Sequence, residues 1–373
     1  MTSIGGAEMV DWNLAVATAT RLVRPGPDVS RDEARAVVAE LRRHAKASEQ
    51  HVRGFTRMGT DDIHDTPILV VDRPGWVRAN VAGFREVLKP LLDKMQERRG
   101  NTPGGAVFGA VGGKVTGVEL GMLLSFLSSR VLGQYETFAP ASRELPAGAK
   151  GGRLLLVAPN IVHVERELDV EPHDFRLWVC LHEETHRTQF TAVPWLRDHL
   201  EGEIQSFLGE TEVDPMTVLE RIREAAQSLA GGRPEGEEDD EGRSLVEIVQ
   251  TPAQREILGR LTAVMSLLEG HADFVMDGVG PDVVPSVAEI REKFQQRRAK
   301  GASRLDSALR KLLGLDAKLR QYRDGERFVR AVVDQVGMDG FNRVWTSPNT
   351  LPTKTEIAKP ADWVARVHRK AES

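Results

Sequence analysis

The chain has 373 residues, 28% charged and 40% hydrophobic, enough apolar content to bury a sizeable core and too much for a disordered chain. Fifty basic against 55 acidic side chains leave a formal net charge of -5, which excludes a bulk basic field for nucleic acid, though not a local patch. One cysteine, Cys180, excludes an intrachain disulfide framework and any cysteine-rich zinc module.

Met1 to Arg24 has no basic start followed by an apolar stretch, so no secretory signal is expected. The most apolar region, Gly104 to Gly133, is interrupted by Lys114, Glu119 and Arg130 and falls short of the roughly 20 apolar residues a spanning helix needs. The expectation is a soluble, cytoplasmic protein with neither a membrane nor a nucleic acid as partner.

In chain order, Asp11 to Val23 and Ser30 to Arg53 read as amphipathic helices, separated by the breaker Arg24-Pro25-Gly26-Pro27. Ser30 followed by Glu33 matches a capping box. Ile68 to Val71 is a short apolar run suited to a strand, and Asn80 to Arg98 returns to helical periodicity, with Pro90 marking a kink or boundary. The glycine-dense stretch Gly104 to Gly113 ends in Lys114-Val115 and not in the Gly-Lys-Ser/Thr of a phosphate loop, so close helix packing is its reading. Val118 to Leu132 follows as a buried helix.

Leu154 to Ala158 is the clearest strand, and Ile161 to Val164 is expected as a second short one beyond Pro159-Asn160. Pro172 to Phe190 reads as a helix with Pro172 in its first turn. Trp195 to Leu208 and Pro215 to Ala230 continue the helical pattern. The acidic, glycine-rich segment 231–242 is expected as a solvated loop, because like charges repel and nothing apolar is available to bury. Helical patterns resume at Ser244 to Gln250, Arg255 to Met276, Val287 to Lys300, Ser303 to Leu313 and Glu326 to Val336. The tail holds Pro348, Pro352 and Pro360 and is expected to run as extended chain. The sum is a mainly α fold with a few short strands. It divides into an N-terminal helical region (1–100), a metal-binding core (101–345) carrying the acidic loop, and an extended tail (346–373).

The chemistry concentrates in Leu181-His182-Glu183-Glu184-Thr185-His186. Histidines four apart share a helix face, so His182 and His186 can converge on one ion, while Glu183 can take a proton from water at that ion. A three-histidine extension would require glycine at position 189 and histidine at position 192, where the chain has Gln189 and Ala192. The alternative third ligand is a carboxylate on a second helix. Leu267-Leu268-Glu269-Gly270-His271-Ala272-Asp273 supplies Glu269 and Asp273 one turn apart on an otherwise apolar helix, where buried carboxylates need a partner or a metal. Glu269 is the expected ligand and Asp273 the expected support for a ligating imidazole. His271 is the competing third ligand, but it lies about 200° around the helix from Glu269, so the two do not face one ion together. His163, His173 and His199 read as surface or core histidines and Cys180 as a core residue. Tyr135, Tyr322 and Arg187 are candidate oxyanion donors for which the sequence gives no geometry.

Several segments together resemble a bacterial zincin-like family of hydrolases and zinc-dependent metalloproteases. They are Leu124 to Tyr135, Pro159-Asn160-Ile161, Trp178 to His186, Pro194-Trp195-Leu196-Arg197, Leu268 to Asp273 and Leu351-Pro352-Thr353. One branch of that family is labelled as associated with deazaflavin-cofactor biosynthesis, a label that implies no binding of that cofactor here. The resemblance implies a helical fold around zinc held by His182 and His186, with Glu183 as base and Glu269 matching the downstream ligand. Glu269 follows His186 by 83 residues, a longer separation than in thermolysin-like enzymes. The expected activity is zinc-dependent hydrolysis of a peptide or amide bond. The competing expectation is a non-catalytic protein whose metal only braces the helical core.

Overall fold

The computed structural model describes residues 9–59, 66–99, 105–138, 152–209, 252–300 and 315–369. These form twelve α-helices and one three-stranded sheet, a mainly α architecture. No helix among the described residues is long and apolar enough to cross a membrane.

Helices α1 (Trp12–Leu22) and α2 (Arg31–Thr56) begin at side-chain caps: Asp11 accepts from the Leu14 amide and Ser30 from the Glu33 amide. Strand β1 (Ile68–Val71) leads into α3 (Arg73–Arg99), which starts seven residues earlier than expected because Asp72 accepts from the Gly75 amide and nucleates the first turn. The helix runs on through Pro90. Then come α4 (Gly105–Ser128), β2 (Gly133–Glu136) and β3 (Arg153–Val157).

Strand β3 is central, parallel to β1 (Ile68 beside Leu154) and antiparallel to β2 (Gly133 beside Leu156). Leu154 to Val157 are all fully buried, since both faces are covered. Leu155 and Val157 pack with α1, α3 and α4, whereas Leu156 faces the core around α2 and α6.

The short strand expected at Ile161 to Val164 is instead the middle of α5 (Ala158–Leu168). Pro159 sits in the first turn, where no amide hydrogen is needed. Asn160 is buried, donating to the carbonyls of Ser128 and Val131 and accepting from Arg73, which holds that turn.

Helix α6 (Pro172–Ala192) is the axis of the molecule, packed by α2, α5, β2 and α8 (Pro252–Gly278). It is buried on nearly all sides, and its Arg176, Glu184 and Arg187 are paired. Arg187 binds Glu184 (2.8 Å) and Glu49 (2.9 Å). A second core joins α7 (Leu196–Gly209), α8, α10 (Leu315–Phe341) and the C-terminal segment, with α9 (Val287–Lys300) flanking α5 and α6. Helices α8 and α10 cross so closely that a methyl group on Gly270 would collide with the backbone of Gly325.

The tail is not extended. After two short 3-10 turns come α11 (Lys354–Ala358) and α12 (Pro360–Arg369). Pro348 and Pro360 open helical turns instead of breaking them, and Thr353 and Glu356 form a reciprocal cap. Trp363 is fully buried and donates to the Thr350 carbonyl at 2.7 Å, so the segment belongs to the second core. The expected helices at Pro215 to Ala230, Ser244 to Gln250 and Ser303 to Leu313, and the acidic loop 231–242, lie outside the described residues.

Candidate metal centre

The centre forms where α6 meets α8. Glu171 caps α6 by accepting from the Asp174 amide, and Pro172 opens the first turn. Three turns on, His182 and His186 project from one face with their Nε2 atoms 3.2 Å apart and rings edge to face. Helix α8 brings Glu269 opposite them: one carboxylate oxygen is 3.8 Å from His182 Nε2, the other 3.7 Å from His186 Nε2.

Zinc–nitrogen bonds of about 2.0–2.1 Å in a tetrahedron put neighbouring donors ~3.3 Å apart, so these separations fit a shared ion of zinc's size. The donor set also fits: two imidazoles and a carboxylate. Among the described residues no further His, Cys, Asp or Glu joins the group. Its members keep partial exposure, 18%, 13% and 29% for the side chains of His182, His186 and Glu269, so solvent reaches the donors.

Each ring's far nitrogen has a neighbour. His182 Nδ1 lies 3.8 Å from Asp273 Oδ1, an ion-pair separation longer than a hydrogen bond. On His186 the neighbour is Gln189, whose side-chain oxygen accepts from Nδ1–H at 3.0 Å, leaving the Nε2 lone pair toward the donor set. The Gln189 amide nitrogen then donates to the Leu268 carbonyl (2.9 Å) and to His271 Nδ1 (3.0 Å). His271 is fully buried against Phe341 and Trp345, and burial together with the nearby His186 pushes its pKa down to about 3, so the ring is neutral. It stands outside the donor set, yet it is tied to His186 through Gln189.

Glu183 is buried at the same place. Burial foremost, and then the Glu269 charge, push its carboxyl well above the usual carboxylate range. Gly133, the first residue of β2, lies directly against it: a Cβ there would come within 2.5 Å of Glu183 Cγ and 2.8 Å of its Oε1. The strand can pass this close only because that residue has no side chain.

Sequence reasoning missed both Gln189 and Gly133. Gln189 follows His186 at i+3, a spacing that puts it on the same face. Gly133 carries no signal of its own beyond its place in the Leu124 to Tyr135 run. Among the open oxyanion candidates, Tyr135 stacks on Phe190, and Arg187 is held by its carboxylates. The side chain of Tyr322 lies outside the described residues.

A family model described as zincin-like metallopeptidase matches residues 10–364. The crystal structure of a protein from Chloroflexus aurantiacus, described as a provisionally assigned hydrolase with a novel fold, is similar at 30% identity and a TM-score of 0.68, covering 96% of this chain and 99% of that one. No curated protein matches the chain. A match over nearly the whole length, with the helical frame just described, places the chain in the zincin-like metallopeptidase family.

Proposed function

We propose that the protein is a zinc-dependent hydrolase of peptide or amide bonds, with His182, His186 and Glu269 holding the metal and Glu183 moving the proton. The observation that carries this reading is the convergence of one carboxylate and two imidazole nitrogens within 4.8 Å at a solvent-reached position, beside a buried carboxyl group. When bound, zinc supplies Lewis-acid polarisation of the carbonyl and a lowered pKa for water. Glu183 accepts the proton of the attacking water and returns it to the departing amine, so the base is regenerated in each turnover. Gln189 holds the His186 ring in the tautomer whose lone pair faces the donors. Asp273 sets the charge behind His182.

Among the described residues strand β2 lies at the edge of the sheet, and its Gly133 lies against Glu183. An extended peptide aligned along that edge would bring a carbonyl near the base, which favours peptide over small-molecule substrates. The non-catalytic reading is disfavoured by two features. A bracing site closes its coordination with a fourth side chain, whereas among the described residues this group has three, all partly exposed. It also has no use for a buried carboxyl beside the donors.

The test is elemental analysis with activity profiling of the metal-loaded protein against peptide libraries. The expected result is zinc retained by His182, His186 and Glu269, and cleavage that Glu183→Gln abolishes while zinc content stays unchanged. Full turnover by Glu183→Gln would remove Glu183 from the mechanism.

A further inference from the structure

A second cluster with the same donor chemistry sits near the opposite end of α6. Glu40 and His44 lie one turn apart on α2, and His173 lies in the first turn of α6. One oxygen of Glu40 is 3.0 Å from His173 Nδ1 and 3.4 Å from His44 Nε2, and the three donor atoms lie within 4.8 Å of one another. The two rings meet edge to face with centroids 4.5 Å apart.

His44 is only 7% exposed, and its Nε2, aimed into the cluster, has the 3.4 Å ion-pair contact with Glu40 but no well-aligned hydrogen bond. A buried ring nitrogen so loosely satisfied can take a better-placed partner. The other carboxylate oxygen of Glu40 is taken by Arg176, which also clasps Glu165 through two bonds. Glu40 therefore turns its remaining oxygen toward the imidazoles. His173 is exposed, so water can complete the coordination.

We propose that Glu40, His44 and His173 form a second site for a divalent transition metal, zinc among them, that ties α2 to the start of α6. The two carboxylate–imidazole separations, 3.0 and 3.4 Å, bracket the ~3.3 Å expected around zinc. The site is separate from the first: His173 precedes His182 by nine residues, about 13 Å along the helix axis, far beyond the ~4 Å of a metal pair acting on one substrate. Its role is a clamp. Helix α6 carries His182 and His186, and a metal joining its first turn to α2 fixes where that helix lies.

The experiment uses the tag-free full chain, stripped with chelator and titrated with zinc against a chromophoric competitor, alongside His173→Ala, His182→Ala and the double variant. His173 is exposed and its replacement leaves the core intact. The expected stoichiometry is two zinc ions per chain for the parent, one for each single variant and none for the double. Zinc should also raise the Tm of His182→Ala but not that of the double variant. Binding of a single ion that His182→Ala abolishes and His173→Ala leaves unchanged would overturn the second site. Binding of a single ion with the reverse dependence would support it while refuting the assignment of the first.

Discussion

Replacing Gln189 by methionine tests how the ligand set is held. Methionine nearly matches the volume of glutamine, so no large cavity opens, but it removes one acceptor and both donors. The acceptor is what fixes His186, because the 3.0 Å bond from Nδ1–H selects the tautomer with its lone pair toward Glu269. Losing such a partner weakens metal binding by about 10- to 100-fold, or roughly 1.4–2.7 kcal/mol. The lost donors leave His271 Nδ1 unsatisfied in a fully buried position, at about 1–3 kcal/mol of fold stability. The two effects separate experimentally: chelator competition reads the first, and urea unfolding of the metal-free chain reads the second. His271→Ala should weaken zinc less than Gln189→Met, since Gln189 stays anchored on the Leu268 carbonyl at 2.9 Å. Unchanged zinc affinity in a destabilised Gln189→Met would show that Gln189 supports the core and does not orient the ligand.

Other outcomes follow from the same geometry. Glu269→Ala should nearly empty the site in a chelator titration, because it removes the one carboxylate facing both imidazoles. Asp273→Asn keeps shape but removes the charge 3.8 Å from His182 Nδ1, and should weaken zinc by about tenfold without abolishing binding. Gly133→Ala inserts a methyl group where Glu183 sits, at a cost of about 1–3 kcal/mol, and should lower turnover of any peptide substrate with zinc content unchanged. Glu183→Gln should lower the same turnover by about 10²- to 10⁴-fold, the usual contribution of a positioned general base.

The helices that frame the centre were legible because their signals are local. Val287–Lys300 matches the sequence reading at both ends, and α6 and α8 differ from it by only a few residues. Periodicity, a first-turn proline and a capping acid suffice for such elements. Local signals misled where a residue type has two uses. Pro159 looked like the end of a strand and the tail prolines like breakers, yet Pro159, Pro348 and Pro360 occupy first turns. What decided each case was burial of a distant side chain, Asn160 under the Ser128 and Val131 carbonyls and Trp363 under Thr350, which no window of sequence displays.

The centre shows the same division. Residues four apart on a helix share a face, so the pairing of His182 with His186, and of Glu269 with Asp273, follows from spacing alone. That the two faces meet depends on how closely α8 can approach its neighbours, and the crossing at Gly270 and Gly325 is a tertiary fact. Gln189 falls between these cases. Its i+3 spacing from His186 was visible, but a glutamine there reads only as the absence of glycine until Leu268 and His271 supply what its amide donates to. A glutamine suits that place for a physical reason. It accepts from a ligand that must be neutral and donates to a histidine that burial keeps neutral, whereas a carboxylate would add an unpaired charge to the core. The far nitrogen of His186 thus meets a neutral relay crossing from α6 to α8, and that of His182 faces the Asp273 carboxylate 3.8 Å away.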